Sequence, residues 1–287
     1  MENIVTSTDS YFSLLLNYAS TSPNTVLAAF FLILARILPI MMLAPFLGAK
    51  NLPNAVKVMF AMALCAIILP PVIINLKEEL FLNIAFIGYA LKELLFGFIL
   101  GFLVTIPFYI AQSSGSLIDH IRGSASLQVT DPTTQSQTGP IGIFYNYVLI
   151  VIFFAIGGPF YFIDALSQSF TIVPINNILN PAFFTLQASF WKIIITLLTH
   201  VLSLAIQLGA PSIIGILMAE MFLGIANRLA PQVQIVFLGI SLKSFVGLAL
   251  LAAAWFFILT QLGKESMAWL KTMYQTMQQI APLSTSG

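Results

Sequence analysis

Residues 81–111 read FLNIAFIGYALKELLFGFILGFLVTIPFYIA, an apolar run interrupted by only two charges, the neighbours Lys92 and Glu93. Crossing a hydrocarbon core of ~30 Å takes ~20 helical residues, so this run is long enough to span with tilt or bending. Five further apolar stretches accompany it, at roughly 25–48, 56–76, 141–163, 190–218 and 235–262. Helix is the expected state, because an open sheet in lipid leaves backbone groups unpaired. The alternating segments of about ten residues that mark an outer-membrane barrel do not occur. The chain of 287 residues is 59% hydrophobic and 7% charged, against about 25% charged for a soluble domain. A soluble body of this size has no way to hide that much apolar surface. These features predict an all-α membrane protein of about six apolar helical segments.

Proline and glycine punctuate the runs. Pro39, Pro45, Pro107 and Pro211 lie within or at the edges of apolar stretches, and Pro159 and Pro231 follow them. Each removes a backbone donor and crowds the preceding turn, so all six are expected as helix breaks. Pro70-Pro71, Gly157-Gly158-Pro159 and Asn180-Pro181 read as ends of stretches. The prediction is kinked helices and helical hairpins. Residues 112–140 form the longest internal polar interval, open to two readings: a solvated loop, or a loop or re-entrant segment facing an aqueous path. Residues 1–262 read as one helical domain. In 263–287, Met267, Trp269, Leu270, Met273, Met277 and Ile280 recur at helical spacing beside Lys264, Glu265 and Lys271, predicting a short amphipathic tail helix. The start, Met1-Glu2-Asn3-Ile4, lacks the basic region of a secretory signal, so the first apolar segment is expected to act as an uncleaved signal.

Charge constrains function next. Net charge is +1, which gives no field to gather nucleic acid or bulk anionic lipid. Counting the six stretches as spans puts Lys50, Arg122, Arg228 and Lys57 on one side and Lys77, Lys264, Lys271 and Lys192 on the other, so the positive-inside rule gives no orientation. Arg36, Lys92, Glu93, His200, Glu220 and Lys243 interrupt apolar sequence. A charge at mid-bilayer costs about 2.5–3.5 kcal/mol on insertion scales, so such residues need partners, water or burial in protein. Arg36, Lys92, Glu93, Glu220, Arg228 and Lys243 are candidate buried inter-helix or inter-subunit ties, or a polar lining for a path. Snorkelling at span ends is the competing reading for Lys57, Lys192 and Arg228. Lys92 and Glu93 point about 100° apart on a helix, so at least one is expected to reach another helix or subunit. Asp119 and Arg122, three apart, are placed to pair. His200, one turn from Thr196 and Ser203, reads as a hydrogen-bonded core histidine, and the single cysteine, Cys65, as a packing residue.

Catalysis finds no support in the residue inventory. Two histidines and one cysteine are present, without His-Glu-x-x-His, Cys-x-x-Cys, a phosphate-binding Gly-Lys loop or a Gly-x-Ser-x-Gly elbow. The Ser113-Ser114-Gly115-Ser116 run near His120 does not make a triad, which is a matter of spatial geometry. No cofactor, metal or enzymatic activity is expected.

Three ordered patches resemble a known family. The first is Arg36-x-x-Pro39, Ala44-Pro45-Phe46-Leu47-Gly48, Pro53 and Lys57. The second runs from Gly101-Phe102 through Pro107-Phe108, Gly115, Ile118-Asp119, Arg122-Gly123 and Asp131-Pro132 to Gly157-Gly158, Ser169 and Pro174. The third is Ala210-Pro211, Ala219-Glu220-Met221-Phe222-Leu223-Gly224, Asn227-Arg228-Leu229-Ala230-Pro231-Gln232 and Lys243-Ser244. Together they resemble the SctT/FliR family of type III secretion, the injectisome T subunit more than the flagellar R subunit. His120-Ile121 stands where that family leads one to expect Asn-Gln. The resemblance implies a non-catalytic export-gate subunit of the bacterial inner membrane. It implies partnership with R and S subunits, with U and V components and with secreted polypeptide. It implies hairpins assembled in a helical, conical gate held partly above the membrane plane. It also implies a plug segment around 112–132, bringing in Ser113, Ser114, Gly115, Asp119, Arg122, Gly123 and Asp131. The rival reading from the residues alone is a secondary transporter, whose broken helices and midplane charges look similar, although no internal repeat is visible.

Overall fold

A computed structural model of the chain describes residues 22–47, 52–76, 79–81, 83–123, 129–130, 137–177, 189–229 and 235–284. Through them run eight α-helices: α1 (Pro23–Leu43), α2 (Asn54–Ile74), α3 (Ile84–Ile121), α4 (Pro140–Ala155), α5 (Gly158–Ile172), α6 (Ser189–Leu229), α7 (Ile235–Ala253) and α8 (Trp255–Ser284). A 3-10 turn, Pro45–Leu47, follows α1. Two-residue strands β1 (Val129–Thr130) and β2 (Gln137–Thr138) pair antiparallel between α3 and α4. All six apolar stretches become helix, the form that satisfies every backbone group within its own segment. Helices α1, α2, α3 and α6 are long and apolar enough to cross a membrane, and the bent pairs α4–α5 and α7–α8 raise the number to six if each makes one span.

Two compact units divide these elements. The first gathers α1, α2, α3 up to Val104, and most of α5. Here α1 packs against α2, burying Ala28, Ala29, Leu32, Ile33 and Ile37 on one helix and Ala61, Leu64, Cys65 and Ile68 on the other. Cys65 is a packing residue, its Sγ 3.4 Å from the Phe30 carbonyl. Phe46, on the 3-10 turn, meets Phe162 edge-on at 5.2 Å. The second unit gathers α3 from Thr105, α4, and most of α6, α7 and α8. Phe108 meets Phe153 edge-on at 5.7 Å, and Phe144 stacks on Trp255 at 5.2 Å.

Several expectations change. Helices run uninterrupted through Pro39, Pro107 and Pro211, and α2 continues through Pro70 and Pro71. Each proline deletes a single hydrogen bond, and the other backbone bonds of a long apolar helix hold the segment together. Pro45 and Pro159 do sit at breaks. Before Pro159, Gly157 takes φ +76°, the left-handed conformation that glycine adopts freely, and the chain bends by 75° between α4 and α5. Pro231 and Asn180-Pro181 lie outside the described residues. A second bend, of 63°, falls at Ala254 between α7 and α8. There the amides of Ala254 and Ile258 still bond the Leu250 and Ala254 carbonyls at 2.9 and 3.0 Å. No proline or glycine announces it.

The loop reading of 112–140 also gives way over its first ten residues, because α3 continues to Ile121. Polarity there does not mean exposure. Ser116 Oγ donates back to the Gln112 carbonyl at 2.9 Å, while Gln112, Ser114, Ile118 and Asp119 are buried. Gly123, at φ +87°, ends the helix with its N–H on the His120 carbonyl. The tail residues to Ser284 belong to the long helix α8, which begins at Trp255.

Candidate functional site

Charge buried inside each unit is the most chemically loaded feature of the fold. In the first unit Arg36 of α1 and Glu93 of α3 are both fully buried. The pair is bidentate: Arg36 Nε donates to Oε2 at 2.5 Å and Nη2 to Oε1 at 2.9 Å. Nη1 donates to the Ser169 carbonyl and hydroxyl at 2.8 and 3.2 Å, and Nη2 also to the Val173 carbonyl at 2.7 Å. All five guanidinium N–H groups therefore have acceptors. The Phe170 ring lies under the guanidinium carbon at 4.2 Å, a cation–π contact in a dry site.

Lys92 joins the same cluster. Although adjacent backbone positions diverge, the flexible lysine stem curls back, and Nζ lies 2.7 Å from Glu93 Oε1. The same Nζ donates to the carbonyls of Pro174, Asn177 and Ile175 at 2.7, 2.9 and 3.3 Å. Arg36 and Lys92 together thus hold the C-terminal turn of α5 and the 173–177 segment, while Glu93 holds the two cations.

Small residues make this approach possible. A Cβ on Gly97 would strike the Arg36 carbonyl, and one on Gly101 would lie 2.9 Å from Leu43 Cδ1 and 3.1 Å from Ile40 Cα. Glu93, Gly97 and Gly101 are four apart, so they share one face of α3 and bring it onto α1. Sequence reasoning singled out Gly101 but missed Gly97 and the acceptor role of Ser169. The four-residue spacing from Glu93 was the available signal for Gly97.

The second unit carries a smaller clasp. Asp119 and Arg122 pair at 2.6 Å as their spacing leads one to expect, and both are buried. Asp119 Oδ2 also accepts the N–H groups of Ile141 and Gly142, at 2.8 and 3.2 Å. Gly139, the residue before α4, has no side chain to cap that helix, so α3 supplies the cap across the loop. A Cβ on Gly139 would fall on the Asp119 carboxylate, and one on Gly115 would meet Gly142 Cα and N and the Ile141 carbonyl at 2.6 Å. Asp119→Ala removes the cap and leaves Arg122 buried without its carboxylate, an expected loss of about 2–4 kcal/mol. Thermal melting in detergent should fall by many degrees, with Asp119→Asn intermediate; an unchanged melt contradicts the clasp.

Other sequence-singled residues stand apart. Lys243 Nζ pairs with Glu220 Oε1 at 2.6 Å, with half of the Glu220 side chain exposed. Arg228 is exposed on the last turn of α6, and Ser113 and Gly123 are exposed as well. Ser114 and Gly115 are buried, and the Ser114 hydroxyl has no hydrogen-bond partner among the described residues. Lys57 is buried instead of snorkelling. His200 is a surface residue, half exposed, with Nε2 3.7 Å from Glu265 Oε2, not the core histidine its neighbours Thr196 and Ser203 suggested. Asp131 and the side chain of Lys192 lie outside the described residues.

Among the described residues, buried ion pairs bind the apolar helices of each unit to their neighbours. The chain's sequence is also that of a known group: the model for "Bacterial export proteins, family 1" matches residues 27–268. The chain belongs to this family. Among its bacterial export relatives, Yop proteins translocation protein T of Yersinia pestis is 28% identical over 229 residues, 78% of this chain and 85% of the relative. Surface presentation of antigens protein SpaR of Shigella flexneri is 26% identical over 214 residues, 74% of this chain and 79% of the relative. Flagellar biosynthetic protein FliR of Aquifex aeolicus is 28% identical over 232 residues, covering 79% and 83%. Translocation protein T and FliR are the two branches that the sequence patches resembled, so the SctT/FliR assignment holds. As a bacterial export protein, the chain is a component of a secretion apparatus with several candidate membrane spans.

Proposed function

We propose that this chain is a channel-forming subunit of the type III export gate, which joins R and S subunits, contacts U and V components and passes unfolded polypeptide across the bacterial inner membrane. The observation that carries the reading is the family match over residues 27–268, with relatives named for translocation and secretion apparatus. Physical support comes from helix length. At 1.5 Å per residue, the 38 residues of α3 and 41 of α6 extend for about 57 and 62 Å, about twice the hydrocarbon thickness of a bilayer. Much of each helix therefore needs cover other than one crossing of lipid. Apolar side chains such as Ile84, Phe256 and Leu229 are more than four-fifths exposed on the isolated chain, and neighbouring subunits are the cover in an assembled gate. The segment 112–132, with Ser113, Ser114, Gly115, Asp119, Arg122, Gly123 and Asp131, serves as the plug that blocks ions while the gate is idle. Arg36, Lys92 and Glu93 tie helices within the subunit; Glu220, Lys243 and Arg228 face partners.

Loss of the gene should stop the appearance of secreted substrates in the medium, and re-expression should restore it. Glu220→Lys sharpens the test. A half-exposed pair contributes only about 0.2–1 kcal/mol within the chain, so the variant should fold normally yet recover several-fold less R and S protein. The exchanged pair Glu220→Lys with Lys243→Glu should not restore recovery if partners read these charges. Normal secretion without the gene would refute the gate role, and normal recovery with Glu220→Lys would refute the partner-facing role of that residue.

A further inference from the structure

Among the described residues, the carboxylates on apolar helices are met by cations, with one exception. Glu93 holds Arg36 and Lys92, Asp119 pairs with Arg122, Glu220 pairs with Lys243, and Glu265 faces His200 at 3.7 Å. Asp164 of α5 pairs with no described cation. Its side chain makes one hydrogen bond among the described residues, along its own helix, where Gln168 Nε2 donates to Oδ2 at 2.8 Å. A carboxylate accepts about four hydrogen bonds, so most of that capacity is unused.

The neighbours of Asp164 on the open side of the helix are apolar. α5 turns Phe162, Ala165, Leu166, Ser169 and Phe170 into the first unit. The helical repeat puts Asp164 on the other side, with Phe160 four residues before it and Tyr161 three before it. Phe160 is 80% exposed, Tyr161 53% and Ile163 39%, and Asp164 is exposed among them. α5 is also half of a bent candidate span. Lipid over this face would cover the rings and strand the charge at a high cost. Water over it would solvate the charge and leave a patch of aromatic surface wet, the kind of surface that marks an interaction site. A protein surface that sets one cation among apolar side chains satisfies both.

We propose that the open face of α5 docks an apolar helix of a neighbouring gate subunit, through an arginine that pairs with Asp164 between the Phe160 and Tyr161 rings. The inference rests on the export-gate reading and names a contact within it. Arginine suits the site better than lysine, because its planar fork meets a carboxylate through two parallel bonds and also stacks on aromatic faces. The first unit already holds such a constellation: Arg36 binds Glu93 through two nitrogens, with the Phe170 ring 4.2 Å from the guanidinium carbon. Gln168 occupies only one oxygen of Asp164 and leaves the other for the incoming group. Aromatic side chains flanking the pair exclude water from it, which makes such a contact stronger than a pair on an open surface.

Photocrosslinking in the full chain, co-expressed with R and S proteins, tests the contact. Phe160 is replaced by the photoreactive p-benzoylphenylalanine, a close match in shape at an exposed position. Irradiation should give an adduct on an R or S peptide next to an arginine. Asp164→Arg should then lower recovery of R and S proteins about tenfold by setting like charges face to face. Changing the crosslinked subunit's arginine to glutamate should restore recovery with Asp164→Arg, which a purely structural role of Asp164 does not predict. Asp164→Asn keeps the shape and the Gln168 bond, so it remains informative if Asp164→Arg fails to fold; it should lower recovery several-fold. Undiminished recovery with folded Asp164→Arg or Asp164→Asn, while the natural chain recovers both partners, overturns this contact alone. Adducts confined to lipid, detergent or a second copy of this chain overturn it as well. A natural chain that recovers neither R nor S protein overturns the gate reading and this contact together.

Discussion

Glu93→Ala is expected to abolish folded protein, as judged by a monodisperse size-exclusion peak in detergent, where most single substitutions only lower its melting temperature. The carboxylate is fully buried and serves both Arg36 and Lys92. Its removal strands two cations a few ångströms apart in an apolar interior. Breaking a buried pair by deleting one partner costs about 3–5 kcal/mol, a large part of the roughly 5–15 kcal/mol that holds a domain together, and mutual repulsion of the cations adds to it. The damage spreads, because Arg36 also holds the Ser169 and Val173 carbonyls. Replacing all three charges with leucine should restore much of the folded yield, since a whole buried ion cluster exchanged for apolar groups is often near neutral. A Glu93→Ala protein that purifies and melts like the natural one would show that the cluster does not hold the unit.

Gly115→Leu has the second-largest expected effect. A Cβ at this position lies 2.6 Å from Gly142 Cα, Gly142 N and the Ile141 carbonyl. All three are backbone atoms, so no rotamer change relieves the contact and the helices must separate. Overpacking of this kind costs about 1–3 kcal/mol even for small insertions, and leucine adds more than a methyl. Separation also draws the α4 N-terminus from Asp119, which accepts the amides of the same two residues. Adding Asp119→Ala to a Gly115→Ala background should therefore be clearly less than additive in melting free energy, the signature of a shared structural element. Full additivity would place the two effects in separate parts of the fold.

How far the sequence foretold this architecture depends on the kind of signal. Apolar run length announced the helices, since nothing else satisfies a backbone in lipid, and three-residue spacing announced the Asp119–Arg122 pair. Arg36 and Glu93 stood out as charges in apolar surroundings. Their pairing with each other did not, because 57 positions separate them and no local pattern encodes a contact at that range. Polarity misled for 112–121, where side chains bond back to their own helix or bury inside the unit. Proline misled at Pro39, Pro107 and Pro211 because losing one donor does not end a long helix. The bend at Ala254 had no breaker residue at all, and the Phe144–Trp255 stack lies beside it.

The proposed gate role rests on these helices meeting other proteins across faces that the isolated chain leaves open. Measuring the intact mass of the complex extracted in mild detergent from the native membrane tests this most directly. The expected result is a mass far above the 31.4 kDa of one chain, with several copies of other small hydrophobic proteins in fixed proportion. A species of 31.4 kDa carrying only lipid and detergent, from cells in which secretion is active, would contradict the account.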